Sequence, residues 1–155
     1  MTILIDTNVL VRLDHLGNPQ RETARKALER LVDDAHDLRT VPQVLYEYWV
    51  ATTRPVDANG LGFSIEEADR LLTDFKELFP PLRDERGILE RWQELVIRYA
   101  VQGKVAHDAR IVAAMLRHGL THLLTFNDSD FARFTEIVAV TPESVVSGMA
   151  HIGGD

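Results

Sequence analysis

Short apolar segments alternate along this chain with longer segments of helical periodicity, and no other feature constrains the fold as much. The apolar segments comprise residues 2–5, 38–41, 121–126 and 137–140. Runs of this length that stop at turn-forming residues are typical of buried strands. Parallel strands separated by helices are joined by right-handed crossovers. The alternation therefore predicts an α/β fold with a parallel sheet and helices on both faces.

Apolar residues recur at steps of three and four between these strands, which is the pattern of amphipathic helices. Local signals support several boundaries: Pro42 suits the first turn of one helix, Ser64 begins a capping box, and Gly119 suits a C-terminal cap. Leu82 follows the helix-ending pair Pro80–Pro81 and is a candidate for one further, very short strand. We predict helices over residues 21–35, 42–51, 65–78, 88–99 and 106–118, with a loop over residues 56–62.

Length and composition are those of one folded domain. A chain of 155 residues buries about 68–70% of the surface that it exposes when unfolded, so it needs no disulfide or structural zinc to hold a core. The sequence contains no Cys, and its 45% hydrophobic content excludes an intrinsically disordered chain. Its 17 Lys and Arg against 24 Asp and Glu give a net charge of −7. This acidic total disfavours long-range attraction of nucleic acid but leaves room for a local basic patch.

No segment of the sequence suits a membrane span or a secretory signal. The longest unbroken apolar run, Ile111 to Leu116, has six residues, whereas a membrane span needs about 18 to 20. The apolar start at Ile3 is interrupted by Asp6 and has no basic region before it. We therefore expect a protein of the cytoplasm that does not enter the membrane.

Acidic side chains occur where the predicted sheet should form a site. Asp6 closes the first strand, and Asn127 and Asp128 follow the third, so these residues should meet at the carboxyl edge of the sheet. Glu47 lies on the flank of the inward face of its helix. Asp108 lies in the first turn of another helix, where the positive end of the helix dipole favours an anion.

Each acid also has a purely structural interpretation. Asp6 is suited to capping a helix that begins at Thr7, and Asp108 to pairing with the dipole of its own helix. Glu47 alone would suit an ion pair at the rim of the core, and residues 127–130 would suit an Asx turn. Four separate explanations of this kind would leave the shared location of the acids as a coincidence.

A cluster of carboxylates at one edge requires a cation, because like charges repel. The chain offers no Cys and no helical pair of His, so the donors are hard oxygens that suit Mg²⁺ or Mn²⁺ better than zinc. His107 should point about 100° away from Asp108 around the helix. A Ser-His-Asp triad, a GxGxxG motif and a P-loop are all missing from the sequence. The predicted chemistry is metal-assisted hydrolysis of a phosphodiester.

Four segments, taken together and in this order, resemble a known family. They are ILIDTNVLV, the helix PQVLYEYW, the segment GKVAHDARIVAAMLRHGLTHLLTFNDSDFARF, and IVAVTPE. The sequence resembles the PIN-domain nucleases, and among them most closely the VapC-type toxins of toxin-antitoxin pairs. The resemblance implies a metal-dependent ribonuclease on a four- or five-stranded parallel sheet. It also implies a single PIN domain over residues 1–155, with residues 1–147 as the core and 148–155 as a C-terminal tail.

The resemblance assigns roles to particular acids. It implies that Asp6, Glu47 and Asp108 bind Mg²⁺ or Mn²⁺ and carry catalysis, with Asn8 supporting Asp6. The fourth acid of the family often lies two residues after the Thr that ends the strand. Here Thr125 is followed at that position by an amide, Asn127.

Two neighbours of Asn127 are the alternatives for this fourth position. Asp128 and Asp130 both carry a carboxylate that could substitute for the missing acid. We predict that Asn127 and Asp128 form the fourth part of the metal site, that Asp128 is also catalytic, and that Asp130 orders the loop. Thr125 is a candidate supporting residue. The candidate phosphate contacts are Arg12, Arg54, Lys104 and Arg110.

The resemblance further implies three partners: an RNA substrate, a second copy of the chain, and a small antitoxin protein. The charge of −7 would suit a basic partner. Two other functions compete with the nuclease. The first is a catalytically weak PIN-fold module that binds or regulates, which the amide at Asn127 motivates. The second is a phosphatase or phospho-accepting receiver, although these usually place two acids together and Asp6-Thr7-Asn8 supplies one.

Overall fold

Four short parallel strands form the sheet that the alternation predicts. The computed structural model describes residues 1–153, so the last two residues of the predicted C-terminal tail lie outside the described residues. The strands run in the order β2-β1-β3-β4 across the sheet, and the order brings β1 and β3 side by side at its centre. Their bounds are β1 Thr2–Ile5, β2 Asp37–Arg39, β3 His122–Leu124 and β4 Val138–Val140.

One isolated bridge extends the sheet beyond β2. Thr40 pairs in parallel with Pro81, and the backbone N–H of Leu82 donates to the Thr40 carbonyl at 2.8 Å. The very short strand predicted at Leu82 is thus reduced to a single bridge, because Pro81 has no N–H with which to continue a ladder. The described sheet therefore has four strands and one bridge.

Eight α-helices connect and cover these strands within the described residues. Five of them match the predicted helices to within a few residues at each end, while α1, α7 and α8 are short helices that the periodicity did not predict. Gly119 follows α6 with a positive φ of 72°, as its predicted capping role requires. The bounds are α1 Thr7–Asp14, α2 Arg21–Asp33, α3 Pro42–Thr53, α4 Ile65–Leu78, α5 Ile88–Arg98, α6 Val105–Arg117, α7 Asp128–Phe131 and α8 Pro142–Ser147.

The core lies on both faces of the sheet. Ile3, Leu4 and Ile5 are each 0% exposed, and successive residues of a strand point to opposite faces, so both faces are covered. Helix α5 packs against α6, α2 against α8, and α1 against both α2 and α3. Within residues 1–153 no helix has the length and apolar character that crossing a membrane requires.

Candidate functional site

An open cavity of about 470 Å³ lies at the carboxyl edge of the sheet, where the predicted site should form. Asp6, Glu47, Asp108 and Asn127 all line it. These residues come from the end of β1, from α3, from the first turn of α6 and from the turn after β3. The central position of β1 and β3 in the sheet explains the convergence, since their carboxyl ends are adjacent.

Asp6 is held firmly at the end of β1. It is only 7% exposed. Its Oδ1 accepts a hydrogen bond from the backbone N–H of Thr7 at 2.8 Å, so it caps α1 as the structural interpretation predicted. Its Oδ2 accepts from Asn8 Nδ2 at 3.1 Å and from Thr125 Oγ1 at 2.8 Å. Capping α1 and facing the cavity are therefore two roles of the same carboxylate.

Asn8 and Thr125 join the ends of β1 and β3. Asn8 donates from Nδ2 to Thr125 Oγ1 at 3.0 Å, and its Oδ1 accepts from the backbone N–H of Phe126 at 3.0 Å. The fully buried Thr125 hydroxyl also accepts from the backbone N–H of Asn127 at 3.0 Å. The structure thus brings both predicted supporting residues to Asp6 and fixes the position of the turn that carries Asn127.

Glu47 is positioned by two residues that the sequence analysis did not select. Thr7 Oγ1 donates to Glu47 Oε2 at 3.1 Å and also lies 3.1 Å from the Val44 carbonyl, so one hydroxyl hydrogen serves two acceptors. Gln43 Nε2 donates to Glu47 Oε1 at 3.0 Å. The spacing of Gln43 and Glu47, four residues apart on one helix, is the signal that could have identified Gln43.

Burial and neighbouring acids raise the pKa of two carboxylates of the cavity. The pKa of Asp6 rises to about 6, chiefly through burial; the charges of Glu47 and Asp130 also raise it, whereas the hydrogen bonds from Thr125 and Thr7 lower it. The pKa of Asp108 also rises to about 6, chiefly through burial and then through the charges of Asp6, Asp130 and Glu47. Asp6 and Asp108 therefore both lie close to other negative charges.

The turn after β3 places the three candidates for the fourth position differently. Asn127 lines the cavity. Asp130 lies close enough to raise the pKa of both Asp6 and Asp108. Asp128 and Asp130, both in α7, are exposed and lie outside the cavity lining. Asp130 is thus connected to the two acids by its charge, whereas Asp128 is not among the charges that act most strongly on them.

The chemistry of the donors fits a hard divalent cation. All of the donor atoms are oxygens. Among the described residues, Asp6 Oδ1 and the two oxygens of Glu47 each accept a single hydrogen bond. A carboxylate oxygen can accept two, so each of these oxygens has a lone pair available for a cation. Within residues 1–153, no three Asp, Glu or His side chains are close enough to form a closed metal site.

The candidate phosphate-binding cations fall into two groups. Arg12 and Arg54 line the cavity. Arg12 donates from Nε to Gln20 Oε1 at 2.9 Å, and its guanidinium lies 5.8 Å from the centre of the Phe126 ring. Arg110 instead lies on a neighbouring groove, where its Nη2 pairs with Asp84 Oδ1 at 3.1 Å. Lys104 is exposed before α6 and lies outside the cavity lining.

Known structures with this fold include three bacterial toxin-antitoxin proteins. VapBC2 of Rickettsia felis, bound to a DNA fragment from its promoter, has a TM-score of 0.69 at 17% identity, over 91% of this chain and 98% of that one. A toxin-antitoxin complex of Klebsiella pneumoniae has a TM-score of 0.60 at 25% identity, over 90% and 97%. VapC20 of Mycobacterium tuberculosis, a toxin that cleaves the sarcin-ricin loop, has a TM-score of 0.63 at 19% identity, over 85% and 95%.

The family comparison agrees with the fold and confirms the resemblance drawn from the four segments. A search of curated proteins found no significant match. The model of the PIN domain matches residues 3–137, a range that includes β2, β3 and all of β1 except Thr2 and that ends directly before β4. The matched range contains all the acids of the cavity. The chain belongs to the PIN-domain family.

Proposed function

We propose that this protein is a metal-dependent endoribonuclease and the toxin of a type II toxin-antitoxin pair. One observation carries the proposal: three carboxylates from separate elements, Asp6, Glu47 and Asp108, line a single cavity in a PIN domain. Placing uncompensated acids together in this way costs stability, which a cation at this site would offset. A function that uses such a cation explains the arrangement.

The similar structures support the toxin assignment. VapC20 of Mycobacterium tuberculosis is described as a toxin that cleaves the sarcin-ricin loop, which is RNA. The protein of Klebsiella pneumoniae is described as a toxin-antitoxin complex, and that of Rickettsia felis as VapBC2 bound to a DNA fragment from its promoter. We extend these properties to the present chain: RNA as the substrate, a small antitoxin and a second copy of the chain as partners, and the cytoplasm as the location.

In this proposal Asp6, Glu47 and Asp108 hold Mg²⁺ or Mn²⁺, and Asn127 contributes a fourth oxygen. When bound, the ion supplies positive charge that stabilises the phosphate oxygens during attack and favours ionisation of the attacking water. Asp130 adds negative charge beside Asp6 and Asp108. Asp128, also predicted as a ligand, would need to turn toward the cavity to take part.

The other residues of the cavity orient the acids and bind the substrate. Thr125 and Asn8 fix one oxygen of Asp6, so the carboxylate cannot rotate without breaking two hydrogen bonds. Arg12 uses only its Nε in the contact with Gln20, so its terminal nitrogens remain available to a phosphate of the RNA. Arg54 offers a second cation at the same cavity.

The test is cleavage of a labelled pool of single-stranded RNA by the purified, antitoxin-free protein. We expect the protein to cut RNA in Mg²⁺ or Mn²⁺, and we expect EDTA or Asp6→Asn to abolish the cutting. The matched substitution Asp14→Asn, at the far end of α1, should leave the cutting intact. Release of phosphate from a small phosphomonoester without RNA cleavage would instead indicate a phosphatase.

The amide at Asn127 favours one second candidate, the catalytically weak module that binds or regulates. In that case RNA would remain intact in both metals, and Asp6→Asn and Asp108→Asn would leave both antitoxin binding and growth effects unchanged. The charge of Asp130 beside Asp6 and Asp108 argues for the nuclease, because it supplies the negative charge that Asn127 lacks.

A further inference from the structure

The buried amide of Gln43 uses both of its hydrogens and its oxygen in contacts with three other residues. Gln43 is 8% exposed. Its Nε2 donates to Glu47 Oε1 at 3.0 Å and to the backbone carbonyl of His107 at 2.9 Å. Its Oε1 accepts from Arg110 Nη1 at 3.3 Å. Buried polar atoms normally have such partners, so the informative point is which residues this amide contacts.

These three contacts permit only one orientation of the amide. Reversing it would set the amide oxygen against the carboxylate of Glu47 and the carbonyl of His107, and its hydrogens against the guanidinium of Arg110. Each of these pairs would repel. Arg110 is itself anchored by Asp84, so the orientation of the amide is maintained from outside the cavity.

The contacts connect two elements that carry acids of the cavity. Glu47 lies on α3, one turn after Gln43. His107 lies in the first turn of α6, directly before Asp108. A single amide thus links the side chain of one acid to the backbone that carries another, while Thr7 holds the second oxygen of Glu47.

We propose that Gln43 is a positioning residue that holds Glu47 and the start of α6 in the arrangement that binds the divalent cation. This inference rests on the proposed function, because it concerns the same site. Outer partners that orient metal ligands commonly change metal affinity by about 10–100-fold when they are removed. Gln43 acts through Glu47 and has no contact of its own with the cation in this proposal.

The experiment measures the affinity of the RNA-free protein for Mn²⁺ by titration with electron paramagnetic resonance detection. Gln43→Met keeps the length and helix propensity of the side chain and removes the amide. Gln93→Met, on the exposed face of α5, is the matched control. We expect Gln43→Met to weaken Mn²⁺ binding about 10-fold and Gln93→Met to leave it unchanged.

A double-mutant cycle separates positioning from a general effect on the fold. If Gln43 acts through Glu47 and the start of α6, Gln43→Met should cost less Mn²⁺ affinity once Glu47→Gln is present, because only its contact with α6 then remains to be lost. An equal loss in both backgrounds would overturn the inference. Gln43→Leu, which also lacks the amide, provides the same comparison where the Met variant does not fold.

The outcomes also distinguish this inference from the proposed function. If the unaltered chain binds Mn²⁺ and Gln43→Met binds it equally well, the inference fails and the nuclease proposal stands. If the unaltered chain binds no Mn²⁺ and cleaves no RNA, the proposed function fails, and the role of Gln43 fails with it.

Discussion

The two ends of helix α1 each carry a buried or half-buried acid, and the two acids have opposite surroundings. Asp6, at the N-terminus, accepts from the Thr125 hydroxyl at 2.8 Å, and Asp14, at the C-terminus, accepts from the Tyr48 hydroxyl at 2.6 Å. Burial raises the pKa of both. The two acids are therefore alike in having a hydroxyl partner and a pKa raised by burial.

The charged neighbours of the two acids differ. Two positive charges, those of Arg21 and Arg70, lower the pKa of Asp14, and one negative charge, that of Asp74, raises it. The charges that act most strongly on Asp6 are those of Glu47 and Asp130, and both raise its pKa. Burial and a hydroxyl partner therefore do not separate Asp6 from Asp14. We propose that the sign of the surrounding charge does, because an acid without positive neighbours can bind a cation more favourably.

The largest expected effect comes from making the same substitution at both ends of α1. Asp6→Asn should reduce metal-dependent RNA cleavage by about 100–1,000-fold, since it removes a ligand of the ion that stabilises charge in the transition state. Asp14→Asn should change the rate of cleavage by no more than about twofold, because the Asn oxygen can still accept a hydrogen bond from Tyr48. Single-turnover cleavage assays measure both. Equal losses at the two positions would refute the distinction drawn from charge.

The second prediction concerns stability against pH in the presence of EDTA. The pKa of Asp6 is about 6 in the folded state against an ordinary 3.8, so the native state binds this proton more tightly. Its stabilising contribution is present below pH 3.8 and is lost as the pH rises through 6, a change of up to ~3 kcal/mol. Urea unfolding from pH 4 to 8 should therefore show a fall in stability that is smaller in Asp6→Asn. A difference between the two proteins that does not vary with pH would contradict this.

The third prediction compares the two hydroxyl groups. Thr125→Val and Tyr48→Phe each remove a donor to an acid, and each should lower the free energy of unfolding by ~1–3 kcal/mol. Only Thr125→Val should also reduce cleavage, by about 10-fold, because it frees an acid that holds the cation. Unfolding and cleavage are measured on the same preparations. Comparable loss of cleavage in Tyr48→Phe would show that the two ends of α1 are not independent.

The smallest expected effect is at the rim of the cavity. Arg12→Ala should weaken binding of single-stranded RNA by a few-fold and reduce the slope of log affinity against log salt by about 0.7, the value for one phosphate contact. Arg30→Ala, which removes a surface cation paired with Asp34 on α2, is the matched control. Filter binding in EDTA at several salt concentrations measures both. An unchanged slope in Arg12→Ala would remove this residue from the phosphate contacts.

Much of the fold followed from local pattern. The positions of the strands and of the five longer helices could be predicted because hydrophobic periodicity depends on a few adjacent residues. Periodicity did not reveal the short helices α1, α7 and α8, since four to eight residues contain too few turns to show a period; only the capping residue Asp6 indicated the start of α1. A very short strand was predicted at Leu82, but its reduction to one bridge at Pro81 depends on Thr40, which is distant in the sequence.

The sequence by itself placed Asp6 at a strand end, Asp108 at a helix start and Glu47 on the flank of the inward face of a helix, and so predicted that the three acids share one edge of a parallel sheet. Only the tertiary structure decided how each acid is held. Thr7 and Gln43 reach Glu47, Thr125 reaches Asp6 across 119 positions of the chain, and the charge of Asp130 raises the pKa of Asp6. The physical reason is the separation along the chain of the residues that determine each feature. Secondary structure follows local pattern, whereas the partners of a buried carboxylate depend on side chains that meet only after the sheet and helices have packed.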